Sequence, residues 1–194
     1  MKRLLLVSLV VSAIAILMPP TSSAQEKARP EGTKQRVTLN IEGVECARCA
    51  KVMSDTFAGT DAKIVSAIEP NTKGPSQVVV ECASACDLGA LAAKVNEAQT
   101  PHREKQPPTL SLVLFGELSR QQTQAARAAC QKIEGIDAES FRYDTDTNQL
   151  QLTVTGKEEV TPKQVVETLA NSGVEVELTA PDASRQAPQE DAPK

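Results

Sequence analysis

The apolar residues in the second half of the chain, residues 107–180, follow a pattern that predicts strand, helix, strand, strand, helix, strand. Ser119, with Gln122 three positions later, forms a capping box that predicts the start of the first helix. Thr161 followed by Pro162 predicts the start of the second helix. The alternating positions that predict the four strands are Leu110, Leu112 and Leu114; Phe141 and Tyr143; Leu150, Leu152 and Val154; and Val174, Val176 and Leu178.

The first half, residues 36–106, repeats this order with a weaker pattern. The predicted elements are strands over residues 37–41, 64–68 and 78–80, a helix over residues 46–57, and a helix through Leu88, Leu91, Ala92 and Val95. Residues 101–108 show no apolar alternation, so the fourth strand is frayed, missing or borrowed from elsewhere. An internal repeat of this kind predicts an α+β protein of two small domains, 36–106 and 107–180.

Both ends of the chain predict segments outside these domains. Lys2 and Arg3, an apolar run over residues 4–18 and a small-residue site ending at Ala24 predict a signal peptide, residues 1–24. The run of about fifteen residues is short of the roughly 20 that a spanning helix needs, so an uncleaved anchor is the less favoured alternative and no membrane span is expected after cleavage. Polar composition predicts a flexible linker over residues 25–35 and a disordered tail over residues 181–194.

Composition narrows the classes of function. The net charge is −4 and becomes more negative once the signal peptide is removed, which makes nucleic acid an unlikely class of partner. Cleavage of a signal peptide predicts a periplasmic or secreted protein, in a compartment where cysteines tend to oxidise unless a metal or a reductant intervenes. With no Trp, one Tyr and three Phe, the cores must consist mainly of aliphatic residues.

The motif with the clearest chemistry is G-V-E-C-A-R-C, residues 43–49, between the first predicted strand and helix. A thiolate at a helix start is stabilised by unpaired backbone N–H groups and the positive end of the helix dipole, and Arg48 adds positive charge. Cys46 and Cys49 can therefore bind one soft metal ion, act as a redox pair, or form a disulfide. A thioredoxin-like enzyme would be expected to have a longer α/β chain, a Trp before the first cysteine and a cis-proline loop, and none of these is apparent.

A βαββαβ unit of about 70 residues with G-x-x-C-x-x-C at its first strand-to-helix turn resembles the heavy-metal-associated (HMA) domain family, which includes copper chaperones and mercuric-ion binding proteins. The resemblance covers residues 36–106 with the motif and residues 109–179 by pattern alone. It implies two tandem ferredoxin-like sandwiches, with Cys46 and Cys49 as ligands for Cu(I), Zn(II) or Hg(II). The chain departs from the family pattern in two places: Val44 replaces the usual Met, and residues 117–122 contain no cysteine, as in a degenerate copy.

Other residues invite more than one interpretation. His102 lies in a loop predicted to return to the end of the sheet that carries Cys46, where some family members place an extra ligand; a solvated loop histidine is the alternative. Glu45 could donate an oxygen to Zn(II), or serve only as a favourable charge at a helix start. Cys82 and Cys86 are expected at the opposite end of the sheet, as a disulfide, as free thiols or as a second metal pair. Cys130 is predicted to be a core residue.

The combined prediction is an exported soft-metal-ion binding protein, not an enzyme, that acts as a metal chaperone, scavenger or transport accessory. Besides the metal ion, the resemblance implies a metal-transporting membrane protein or another HMA domain as partner. The alternatives are a thiol-disulfide redox protein and a disulfide-stabilised interaction module that binds no metal.

Overall fold

The computed structural model describes residues 34–83 and 85–181. The elements are β1 (Lys34–Glu42), α1 (Ala47–Ala58), β2 (Lys63–Ile64), β3 (Ser76–Ala83), α2 (Leu88–Glu97), β4 (Thr109–Phe115), α3 (Arg120–Cys130), a short 3₁₀ helix (Ala138–Ser140), β5 (Arg142–Asp144), β6 (Gln149–Val154) and α4 (Pro162–Ala170). The signal peptide predicted for residues 1–24 lies outside the described residues, as do most of the predicted linker and tail. Strand β1 begins at Lys34, two residues inside the predicted linker.

The predicted α+β class is confirmed. The described residues form one antiparallel sheet of six strands in the order β2-β3-β1-β4-β6-β5, together with four α-helices. Each half of the chain contributes strand, helix, strand, strand, helix, so the repeat seen in the sequence is present in the structure. The sheet crosses the predicted domain boundary at residue 107, and therefore this boundary does not separate two sheets.

The two halves join where β1 pairs with β4. Their antiparallel register runs from Thr38 opposite Val113 to Glu42 opposite Thr109. In a separate ferredoxin-like unit, the edge of the first strand would be covered by that unit's own fourth strand. The first half has no such strand, and a buried strand edge without partners would leave backbone N–H and C=O groups unpaired. The missing strand of the first half is thus supplied by β4, in agreement with the borrowed-strand alternative.

The fourth strand predicted for the second half is reduced to an isolated bridge. Phe115 and Glu177 exchange two backbone hydrogen bonds of 2.8 Å, and Thr38 N–H donates to the carbonyl of Leu178 at 2.8 Å. Because β1 already occupies the edge of β4 from Thr109 to Val113, only the end of β4 remains open to this segment. Strand β2 is also shorter than predicted, with only Lys63 and Ile64 paired to β3.

Apolar side chains from both halves form a single core. The largest fully buried side chains are Phe57, Leu39, Ile41, Met53, Leu88, Leu110, Leu112, Leu114, Leu150, Leu152, Leu169 and Val37. Gly156 marks how closely the halves approach, since a Cβ atom there would lie 2.7 Å from the backbone nitrogen of Ala93 in α2. Among the described residues, no helix is both long and apolar enough to cross a membrane.

Candidate metal centre

The loop between β1 and α1 depends on a glycine. Gly43 has φ = +77°, and a Cβ atom at this position would lie 2.9 Å from the carbonyl oxygen of Gln106. Only glycine adopts this backbone conformation without strain while allowing so close an approach. The loop therefore packs directly on the segment before β4, which is the segment that follows His102 in the chain.

The first thiol caps the helix that carries the second. Cys46 is the N-cap of α1, with extended backbone, and its Sγ accepts a hydrogen bond from the N–H of Cys49 at 3.3 Å. The two Sγ atoms are 3.0 Å apart. Cys49 is fully buried in the core, whereas Cys46 is half-buried and can be reached from solvent. The pair thus presents one sheltered sulfur and one accessible sulfur at a helix start.

The two thiols have pKa values shifted in opposite directions. Hydrogen bonds from the side chain and backbone of Cys49 lower the pKa of Cys46, and Arg48 contributes in the same direction. Burial raises the pKa of Cys49, and its hydrogen bond to Cys46 adds to this effect. These directions mean that Cys46 loses its proton more readily than Cys49, which can then donate a hydrogen bond to it. Cys46 is therefore the thiol of the pair that more readily becomes a ligand for a cation.

His102 lies beside the thiol pair. The ligand atoms of Cys46, Cys49 and His102 all lie within 4.8 Å of one another. The turn that holds His102 is closed by its own carbonyl, which accepts hydrogen bonds from Lys105 N–H (3.0 Å) and Gln106 N–H (2.9 Å). The predicted return of this loop to the thiol end of the sheet is confirmed.

Glu45 is not part of this group. Among residues 34–83 and 85–181, the group of converging metal-ligating side chains contains the two cysteines and the histidine but no carboxylate. The backbone of Glu45 instead forms a hydrogen bond that lowers the pKa of Cys49, against the larger effect of burial. Its contribution in this structure is therefore made by the main chain.

The other cysteines lie away from this centre. Cys82 is paired with Gln35 near the start of β1, whereas the thiol loop follows the end of β1, so roughly 20 Å of strand separates them. Cys82 and Cys86 are both free cysteines, the first buried and the second half-buried. Cys130 is 1% exposed, and burial raises its pKa to about 11, which confirms the prediction of a core residue.

The second half uses the same helix start without thiols. Ser119 is the N-cap of α3, and its Oγ accepts a hydrogen bond from the N–H of Gln122 at 3.3 Å. Ser119 and Gln122 follow Gly116 at the same spacing at which Cys46 and Cys49 follow Gly43. The sequence predicted both the capping box and the lack of cysteines in residues 117–122, but not that Ser119 and Gln122 occupy the positions of the two thiols; their shared spacing from a glycine is the signal that could have revealed it.

The loop of the second half is held by a tyrosine. The hydroxyl of Tyr143 accepts a hydrogen bond from Leu118 N–H at 2.8 Å and lies 3.1 Å from the carbonyl oxygen of Gly116, to which it can donate. The phenol thus ties together the loop that corresponds to the thiol loop, in a half of the molecule that offers no thiol there.

No protein-family model matches the sequence, and no curated protein matches it either. The donor atoms of the centre indicate which metal ions it can bind. Two thiols and one imidazole form a soft to borderline set that suits Cu(I), Zn(II) and Hg(II) better than Mg²⁺ or Ca²⁺. Three protein ligands also leave a side of the ion open to a further ligand.

Proposed function

We propose that this protein binds one soft metal ion as cargo through Cys46 and Cys49, with His102 as a third ligand. The observation that carries the proposal is the convergence of these three ligand atoms within 4.8 Å of one another. Similar protein sites hold Zn(II) at about 2.3 Å from sulfur and about 2.0 Å from nitrogen, which is within reach of three atoms so placed. The resemblance of residues 43–49 to the HMA motif supports the same reading.

Binding requires a small rearrangement of the pair. Two sulfurs about 2.3 Å from one tetrahedral ion are roughly 3.8 Å apart, and a linear ion would separate them by about 4.6 Å. The sulfurs are now 3.0 Å apart, so the more accessible Cys46 would rotate outwards while buried Cys49 stays in place. The ion would then replace the hydrogen bond that the thiols share.

An open coordination position and one accessible sulfur suit transfer of the ion rather than permanent storage. We therefore propose a role as a metal chaperone, scavenger or transport accessory, without catalysis. The partner would be a metal-transporting membrane protein or another HMA domain, and the signal-like residues 1–24 favour action in the periplasm or outside the cell. We interpret the two halves as ferredoxin-like units that pair through their first strands instead of each completing its own sheet.

The test is competition with a chelator of known affinity for Cu(I), Zn(II) and Hg(II). Changing Cys46→Ser together with Cys49→Ser should abolish binding, because a serine hydroxyl is neither soft nor deprotonated at neutral pH. The matched control is Cys82→Ser with Cys86→Ser, which should leave affinity nearly unchanged because these residues lie at the far end of the sheet. Equal losses in the two double variants would contradict the assignment.

His102→Ala distinguishes a three-ligand site that includes the imidazole from a site made of Cys46 and Cys49 alone. Loss of the imidazole should weaken Zn(II), which prefers four ligands, more than Cu(I), which tolerates two sulfurs. A fall in Zn(II) affinity of about tenfold or more supports the three-ligand site, in line with the usual cost of disturbing a metal site. Unchanged affinity for all three ions would reduce the site to the two cysteines.

A thiol redox protein is the second candidate, favoured by the lowered pKa of Cys46 and the 3.0 Å sulfur separation. A redox enzyme would reduce insulin disulfides at rates typical of thioredoxins, and Cys46→Ser would abolish this activity. Such a result would overturn the metal proposal. A chain that neither reduces insulin nor binds metal would instead fit an interaction module stabilised by disulfides.

A further inference from the structure

A second pair of thiols lies at the opposite end of the sheet from the metal centre. Cys82 is the next to last residue of β3, and Cys86 directly precedes Asp87, the N-cap of α2. The N–H of Cys86 donates to the carbonyl of Ala83 at 2.8 Å, which closes a turn between strand and helix. The turn places the two cysteines four positions apart in the chain, with both side chains packed against the same apolar core.

Burial and charge at this pair are unfavourable to two thiolates. The hydrogen bond to Cys82, burial, and the nearby carboxylates of Asp87 and Asp61 all raise the pKa of Cys86. A metal held by both sulfurs requires both to be deprotonated. A disulfide carries no charge and therefore avoids this cost. The surroundings thus favour a covalent bond over a second metal site.

We propose that Cys82 and Cys86 form an intramolecular disulfide when the protein meets a disulfide-bonded oxidant. Cys86 attacks one sulfur of the oxidant because it is the more accessible of the two cysteines, but slowly, since its raised pKa leaves little thiolate. The S–S bond of the oxidant breaks and releases one thiol that takes up the Cys86 proton. Cys82, which is 2% exposed, then attacks the Cys86 sulfur and displaces the second oxidant sulfur, which leaves with the Cys82 proton. In total, two cysteine thiols are oxidised and one oxidant disulfide is reduced to two thiols.

The bond would act as a clamp at the joint between the two halves. The residues that follow Cys86 contact the loop before α4: Leu88 N–H donates to the carbonyl of Val160 at 2.7 Å, and Asp87 Oδ1 accepts from Val160 N–H at 3.2 Å. Tying the start of α2 to β3 restrains this contact. The clamp does not involve Cys46, Cys49 or His102. It can therefore be tested independently of metal binding.

The experiment uses the full chain with Cys46→Ser and Cys49→Ser, which retains Cys82, Cys86 and Cys130. Reduced protein is exposed to oxidised glutathione in metal-free buffer, treated with iodoacetamide and digested with trypsin. Tryptic peptide 74–94 contains Cys82 and Cys86 and no other cysteine. We expect this peptide to become lighter by two hydrogens and to resist alkylation, while Cys130 reacts only after denaturation because it is buried.

Three results would overturn the proposal: alkylation of both cysteines in this peptide, a stable glutathione adduct on Cys86, or a stoichiometric Cu(I) complex that protects the pair from oxidation.

Thermal unfolding provides the second measurement. Oxidation should raise the unfolding midpoint of the Cys46→Ser, Cys49→Ser protein by about 4–8 °C, as expected for a short disulfide loop in a chain of this size. The matched control adds Cys82→Ala and Cys86→Ala and should show no rise; an equal midpoint before and after oxidation in the first protein would refute the clamp.

Discussion

Gly43 links the backbone of the thiol loop to the position of His102, the proposed third ligand. Its positive φ turns the chain out of β1, and the absence of a side chain lets the segment containing Gln106 pack against the loop. Any side chain here would push that segment away, and His102 is held by the same turn, through its hydrogen bond with Gln106. A single glycine therefore affects both the fold and the ligand geometry.

Gly43→Ala tests this double role, and Gly173→Ala is its matched control. Both glycines have positive φ, +77° and +76°, but a Cβ atom at Gly173 would meet nothing within 4 Å. Gly173→Ala should cost about 1–2 kcal/mol from backbone strain alone. Gly43→Ala should cost about 3 kcal/mol in urea unfolding, because a steric clash adds to the strain.

Metal titration completes this comparison. Zn(II) affinity should fall in Gly43→Ala and stay unchanged in Gly173→Ala, since only the first displaces the segment that carries His102. Equal effects of the two changes on stability and on Zn(II) affinity would show that the contact of Gly43 with Gln106 does not position the ligand.

Helices α1 and α3 start in the same way with different chemistry. In each, a side chain three residues after a glycine accepts a hydrogen bond from the backbone three residues further on, at 3.3 Å. In α3 the second side chain completes a capping box, since Gln122 Oε1 accepts from Ser119 N–H at 3.0 Å. In α1 the N-cap hydrogen bond is kept, but the second side chain is the thiol of Cys49, which pairs with Cys46 Sγ instead of completing a capping box.

Installing thiols in α3 tests this correspondence. Ser119→Cys with Gln122→Cys should create a second soft-metal site, and Cu(I) titration should then reach two equivalents per chain. Its affinity for Zn(II) should remain below that of the natural site, because the sequence has one histidine and His102 lies with Cys46 and Cys49. Loss of the capping box should cost about 1 kcal/mol.

Ser119→Cys alone is the control and should add no second equivalent, since one thiol cannot replace a pair. A double variant that folds and still binds one equivalent would mean that the two helix starts are alike in hydrogen bonding only.

Local chemistry explains which elements could be predicted from the sequence. The starts of α3 and α4 follow from Ser119 and Thr161, whose caps involve neighbours three residues away. The thiol loop could be located for the same reason, and alternation along β1 and β3 placed Cys82 at the far end of the sheet. The position of His102 could be predicted only from the order of the elements, because the loop after α2 returns to the end of the sheet that carries the thiols.

The pairing of β1 with β4 could not be deduced in the same way. Thr38 and Val113 are far apart in the chain. The alternation of apolar and polar residues along a strand is the same whether the neighbouring strand comes from its own half or from the other half. The apolar alternation of Val174, Val176 and Leu178 is real, yet Phe115 offers the last open edge of β4, so only a bridge forms there. Competition for one strand edge is a property of the whole fold, not of either segment.

At the scale of the molecule, a shared sheet and a shared core imply that the two halves support each other. Leu39 and Leu112 are opposite one another on β1 and β4 and are both fully buried. Separating the halves would expose these side chains and leave two strand edges without partners. The proposed metal centre in the first half therefore depends on the second half, even though none of its three candidate ligands comes from it.

The last prediction is that the halves unfold together. Tyr143 is the only tyrosine and there is no tryptophan, so intrinsic fluorescence reports on the second half. Alkylation of buried Cys49, quantified by mass spectrometry separately from the other cysteines, reports on the first half. In a urea series on metal-free, reduced protein, the two signals should change at the same midpoint, as a single cooperative unit requires.

Leu112→Ala, where β4 pairs with β1, should lower the free energy of unfolding by about 2–5 kcal/mol and lower both midpoints equally. Val65→Ala is the control at a half-exposed position, 49% accessible, and should shift neither by more than about 0.5 kcal/mol. Two separate midpoints in the unmodified chain, or a Leu112→Ala effect seen only by Tyr143, would instead establish residues 36–106 and 107–180 as independent domains.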